Sequence, residues 1–255
     1  MTNATTTIRR PAPAAPPPRR LTLESIQRNV GPAPDRILLT GTEGVGKTSW
    51  AAGAPAPIFI CAEDGMPRAL AEVPRFPAPQ TFEEVLDAIA SLTEGEHEFK
   101  TVVIDTVDWL EPLVWESVCR KNGWESIESP GYGKGYAAAS DEWRRLLVAL
   151  DRLRSKRRME VILLAHAAIR TFQNPSGNDY SRYEAKLHKG AAALVREWCD
   201  TNLFAIHEEF GGADKSGKPT KKGISTGRRV VHTERTAAWD AKNRHGLPAE
   251  LALDY

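Results

Sequence analysis

Eight consecutive residues, Gly41-Thr42-Glu43-Gly44-Val45-Gly46-Lys47-Thr48, fill every fixed position of GxxxxGK[ST]. That spacing is suited to holding a nucleoside triphosphate. The glycines let backbone N–H groups turn inward around phosphate oxygens where side chains would collide. Lys47 brings a point charge to the β- and γ-phosphates, and the Thr48 hydroxyl is placed to ligate Mg²⁺. Candidate nucleotide contacts therefore run from Gly41 through Thr42, Glu43, Gly44, Val45, Gly46, Lys47 and Thr48 to Ser49.

Two strand-end acids extend this chemistry. Asp105 follows the apolar run Thr101–Ile104, which sets a carboxylate beside the loop, able to hold a Mg²⁺-bound water. The plainer reading is an aspartate capping the next helix. Glu63 ends Pro57-Ile58-Phe59-Ile60-Cys61-Ala62-Glu63, about fifteen residues beyond Lys47. A carboxylate there can polarise the water that attacks a γ-phosphate; Asp64 could share or replace that duty. Two such acids describe an ATP hydrolase better than a small-molecule kinase. A GTPase would need NKxD and DxxG, and neither follows the loop.

The elements that must position these residues are legible as alternating short apolar runs and amphipathic segments. Arg36–Thr40, Pro57–Cys61, Thr101–Ile104, Glu160–Ala165 and Thr201–Ile206 read as strands buried on both faces of a mostly parallel sheet. Thr81 and Glu84 form a capping-box pair ahead of Phe82, Val85, Leu86 and Ile89. Ser140 is placed to cap a second helix carrying Trp143, Leu146, Leu147, Leu150 and Leu153, with the basic residues 156–158 at its end. Residues 211–227 and the strand Arg229–Thr233 predict a hairpin with a mobile tip. The fold class expected is a three-layer α/β/α domain over 21–255, opening on a possible short helix at Leu21–Asn29 and preceded by a Pro-rich disordered tail over 1–20.

Bulk composition narrows the class without naming a partner. The 255 residues are 41% hydrophobic and 26% charged, as in a globular protein, and 34 Lys+Arg against 33 Asp+Glu leave a net charge of +1. Any nucleic-acid contact must therefore use local patches. Three separated cysteines, Cys61, Cys119 and Cys199, fit a reducing cytoplasm, and His188 with Cys199 lacks further ligands for zinc. No apolar stretch approaches the ~18 residues of a membrane span, and no signal-peptide core is present.

The order of parts, a Walker A loop, Ala62-Glu63, TVVID and EVILLAH, resembles the RecA superfamily. More narrowly, the chain is similar to phage-encoded RecA-like ATPases of the single-strand-annealing recombinase type. The segments that carry this are GTEGVGKTS, 100–114, GYGKGYAAASDEWRRLL (131–147), 162–175, 183–200 and AWDAKNRHGLP (238–248). The resemblance implies ATP and Mg²⁺ as cofactors, Glu63 as the catalytic glutamate and His166 as a sensor of the γ-phosphate. A lone strand-end histidine is otherwise a hydrogen-bonded core group. It also implies that Lys242 and Arg244 reach the γ-phosphate of a neighbouring subunit, giving a homo-oligomer with composite sites. Without the resemblance they read as two solvated cations before a turn.

Two segments mix cations with aromatics, the composition of a surface that neutralises phosphates and stacks bases. Lys121–Tyr136 offers Tyr132, Lys134 and Tyr136; Arg170–Lys189 offers Arg170, Arg182, Tyr183 and Lys186. With the resemblance, single-stranded DNA is the expected ligand and a single-strand binding protein a possible partner. Full RecA carries a C-terminal domain and an N-terminal oligomerisation domain that are not recognisable here, so annealing is expected rather than stable filaments and strand exchange. The rival readings are a nucleotide-dependent assembly or regulatory ATPase, and a replicative helicase or helicase loader.

Overall fold

The computed structural model describes residues 22–26, 31–213 and 219–255, with the backbone alone for 210–213 and 219–224. The chain divides into two compact units, Met1–Pro32 and Ala33–Tyr255. In the first, Leu23–Ser25 forms a single 3-10 turn, with Ser25 Oγ donating to the Thr22 carbonyl at 2.6 Å. The tail expected over 1–20 and most of the short helix expected at Leu21–Asn29 lie outside the described residues.

The second unit is built on one sheet. Its elements are β1 (Arg36–Gly41), α1 (Lys47–Ala52), β2 (Pro57–Cys61), α2 (Phe82–Glu94), β3 (Thr101–Asp105), α3 (Val107–Asn122) and α4 (Lys134–Arg157). There follow β4 (Glu160–Phe172), β5 (Tyr180–Ala185), α5 (Lys189–Trp198), β6 (Thr201–Ala213), β7 (Pro219–His232) and β8 (Glu250–Ala252). The strand order is β2-β3-β4-β1-β6-β7-β8. The first five are parallel, while β7 and β8 run antiparallel at one edge. All five runs expected as strands are strands.

Because successive strand residues face opposite sides, each apolar run feeds two cores. Leu38, Ile60, Val102, Ile104, Val161 and Leu163 pack with α2, α3, α4 and α5 on one face. Leu39, Phe59, Val103, Ile162 and Leu164 pack on the other, against Val45, Trp50 and Ala51 with Leu251 and Leu253 at the margin. Each such side chain contributes ~1.5–3 kcal/mol by leaving water. The result is the expected α/β/α layering, but unevenly clothed: four helices cover one face and the six-residue α1 the other.

The helix ends show where local pattern succeeds and where it fails. Thr81 Oγ1 accepts the Glu84 N–H at 3.2 Å, as expected, while Glu84 Oε2 reaches past Thr81 to the Gln80 N–H at 2.7 Å. Ser140 is not a cap. Helix α4 starts earlier, at Lys134 after left-handed Gly133, and Ser140 donates to the Tyr136 carbonyl inside the helix at 2.9 Å. The early start depends on Gly135, where an added Cβ would lie 1.8 Å from the Ile127 carbonyl oxygen. That approach is open only to glycine. At the far end Arg157 donates to the Thr93 and Glu94 carbonyls, each at 2.9 Å, so the basic cluster closes the end of α2 as well as that of α4.

The segment expected as a loop over Arg170–Lys189 is largely a hairpin. Strand β4 outruns the central sheet, and its residues 167–172 pair antiparallel with β5. The hairpin expected after β6 is also present as β6 and β7; residues 214–218, where a mobile tip was expected, lie outside the described residues.

Candidate active site

Register brings the reactive side chains together. Gly41 lies opposite His166 and Cys61 opposite Asp105, so the ends of β1, β2 and β3 line up with the point where β4 leaves the central sheet. Residues at or just beyond that line (Lys47, Thr48, Glu63, Asp105 and His166) border one cleft of about 340 Å³. This is the crevice outside the carboxyl ends of parallel strands where α/β proteins take ligands. The loop's glycines have distinct reasons. A Cβ at Gly41 would sit 2.8 Å from the Ala205 carbonyl oxygen, whereas Gly46 has a φ of 105°. Gly44 and Ser49 border the cleft, Val45 is buried in the core, and Glu43 is exposed.

Thr48 Oγ1 donates to Asp105 Oδ2 at 2.8 Å. A hydroxyl and a carboxylate in contact form an oxygen donor set of the kind a hard divalent cation takes, with room left for water and phosphate. Burial pushes the Asp105 carboxyl above its ordinary range, and the nearby Glu63 charge adds to this against the Thr48 hydrogen bond. A cation there would reverse that cost. Lys47 is 6% exposed, and among the described residues its ammonium reaches only the Gly41 and Thr42 carbonyls, at 3.3 and 3.2 Å. Burial lowers its pKa, with Asp105, Asp108 and Glu63 opposing. The residues fit a magnesium-bound polyphosphate.

Glu63 borders the cleft; Asp64 is exposed and does not. His166 is held by a partner that the sequence reading passed over. Asp108, on the first turn of α3, accepts the His166 backbone N–H and contacts its Nδ1, both at 2.9 Å. Burial pushes the Asp108 carboxyl up, and these His166 contacts outweigh it, leaving the group below its usual range. An Asp three residues past the strand-end acid, DTVD, was the available signal. The other missed residue is Arg229 of β7, which also borders the cleft. Only long-range antiparallel pairing brings it there, so no local pattern marks it.

Lys242 and Arg244 lie elsewhere. Lys242 pairs with Asn202 near the start of β6, and its ammonium donates to the Arg196 and Glu197 carbonyls at 3.0 and 3.3 Å. Arg244 bonds Asp200 at 3.3 Å. Both are at the amino-terminal ends of the parallel strands, opposite the chain's own P-loop. Within the chain each is engaged by a different local acceptor.

The residues named for DNA contact divide. Tyr132 is fully exposed, and Lys134 and Lys186 are exposed. Arg182 must be corrected. It is 3% exposed, ion-paired with Asp240 at 3.2 Å and stacked over Phe172, because β5 folds its inner face onto the 235–240 segment. Arg170 donates to the Leu187 carbonyl at 2.5 Å, Tyr183 stacks on Phe204, and Tyr136 stacks on His188.

A buried acid lies behind this site. Glu111 of α3 is 5% exposed, and both its carboxylate oxygens accept the His188 N–H, at 3.0 and 2.9 Å. Burial raises its carboxyl to about 7 despite that bond. A folded-state pKa above the ordinary 4.5 gives stability that is complete below that value and lost as pH rises through 7. The unfolding free energy should therefore fall between pH 5 and 7.5, by at most ~1.4 kcal/mol per pH unit for one proton, and the melting midpoint with it. Glu111→Gln should flatten that part of the profile, and superimposable parent and variant profiles would count against the assignment.

A search among curated proteins finds no match. A solved structure described as the crystal structure of the RadB recombinase is similar at a TM-score of 0.46 and 17% identity, covering 78% of this chain and 80% of that one. Among the described residues no helix is long and apolar enough to cross a membrane. A family model described as AAA domain matches residues 33–245, nearly the whole of the compact unit that carries the cleft. The chain thus belongs to the AAA domain family of ATPases.

Proposed function

We propose that this chain hydrolyses ATP in the cleft and acts on single-stranded DNA in recombination, as a RecA-like annealing ATPase. The observation that carries the hydrolytic part is the Thr48–Asp105 contact beside buried Lys47, with Glu63 on the same cleft. Lys47 offsets charge on the β- and γ-phosphates, and Glu63 takes the proton of the attacking water. Thr48 and Asp105 would hold Mg²⁺, which when bound neutralises charge on the phosphate oxygens. His166, fixed by Asp108, is placed to read the γ-phosphate. Lys242 and Arg244 face away from the chain's own loop, which supports delivery to a neighbour's site in a homo-oligomer.

The DNA part rests on the exposed Tyr132 and Lys134 at the start of α4 and on Lys186. Filter binding of single- against double-stranded DNA, with and without ATP, tests it. Preference for single strands is expected, with Tyr132→Ala costing ~1–3 kcal/mol for the lost stacked base. Lys134→Ala should flatten the salt dependence. Absence of single-strand binding at low salt would remove DNA from the reading. The internal engagement of Arg170, Arg182, Tyr136 and Tyr183 favours the second reading in that case, a nucleotide-dependent assembly or regulatory ATPase with a protein partner.

A further inference from the structure

Arg229 stands on β7, an antiparallel strand outside the run of strands whose ends frame the cleft, yet its side chain reaches across to the P-loop. Its Nη1 donates to the Val45 carbonyl at 3.3 Å. It also occupies the space a side chain at Gly46 would need, since an added Cβ would lie 2.6 Å from Nη1. Val45 O is the only hydrogen-bond partner of this guanidinium among the described residues. One long, weak contact leaves most of its five donors unspent. An exposed arginine gains little from one such bond, and Lys47 already places like charge in the same cleft beside Glu63 and Asp105.

A phosphate chain supplies the missing acceptors. In this loop geometry the backbone between Gly44 and Gly46 faces the α- and β-phosphates, whereas the lysine reaches the β- and γ-phosphates. Glu63, Asp105 and His166 stand at the strand ends on the lysine's side. Arg229 stands over Val45 and Gly46, and its planar fork matches a pair of phosphate oxygens.

We propose that Arg229 is a second cation of the nucleotide site, supplied by the same chain and directed at the α/β-diphosphate rather than at the γ-phosphate. It then sets how tightly both ATP and ADP are held. The inference deepens the ATPase reading and rests on it.

Calorimetric titration of the full chain with MgATP and with MgADP tests it, using the parent, Arg229→Ala, Arg229→Lys and Lys47→Ala. Arg229→Ala should weaken both nucleotides by a similar factor, on the order of 10-fold, and reduce the steepness of the salt dependence. Arg229→Lys should recover part of the affinity. A purely structural role would lower the nucleotide-free melting midpoint, which should instead match the parent, since the side chain is exposed and makes one long bond. Unchanged affinity for both nucleotides, or loss for MgATP alone, overturns the α/β assignment while leaving the ATPase reading intact. A parent that binds neither nucleotide, or binds them as well after Lys47→Ala, overturns the reading beneath it.

Discussion

Lys47→Ala should lose ATP turnover by ~10²–10³-fold or more, because the loop's buried cation is removed from where negative charge gathers during γ-phosphate transfer to water. The nucleotide-free protein should melt no lower than the parent. Burial already holds the Lys47 pKa below its ordinary value, so the ammonium is a cost to the empty fold. Its two carbonyl partners are long contacts at the cleft edge. A malachite-green phosphate assay beside a thermal melt separates loss of chemistry from loss of fold. Parental turnover in this variant would rule out the proposed mechanism.

Glu63→Gln should fail differently. The amide keeps the size and position but cannot take a proton, so turnover should drop ~10²–10⁴-fold while MgATP remains bound. Binding has a further reason to survive. After burial, the charge of Glu63 is one of the effects that hold the Asp105 carboxyl up, and the amide removes it. Asp64→Asn should leave turnover near the parental rate, since that side chain lies off the cleft. Loss in the Asp64 variant with retention in the Glu63 variant would move the base one residue along.

The parts of this site that lie at strand ends were legible because a buried strand announces itself by its own residues. PIFICAE and TVVID carry their core packing and their terminal acids in one short string, and the P-loop follows its strand directly. What was illegible depends on partners distant in sequence. Nothing near Arg182 marks it as enclosed, since Asp240 and Phe172 do the enclosing. Ser140 has the right type for a cap and the right neighbours, yet Gly133 and Gly135 let the helix begin earlier. Arg229 enters the cleft only because β7 folds back along β6.

The six-residue helix α1 is too short to hold itself in water by its own hydrogen bonds. Besides its packing on the sheet, residues 254–255 hold it: the Trp50 indole N–H donates to the Asp254 carbonyl at 3.1 Å, and the Trp50 ring meets Tyr255 at 4.9 Å. Gly53 leaves only 3.0 Å between an added Cβ and the Tyr255 Cβ. The helix that presents Lys47 and Thr48 is thus clamped from outside by residues 254–255. For handling the protein this makes 254–255 a poor place for an affinity tag, a label or a surface tether, because whatever pulls there pulls on the phosphate loop. With the other six tryptophans replaced, indole fluorescence from Trp50 would gauge whether that clamp is closed.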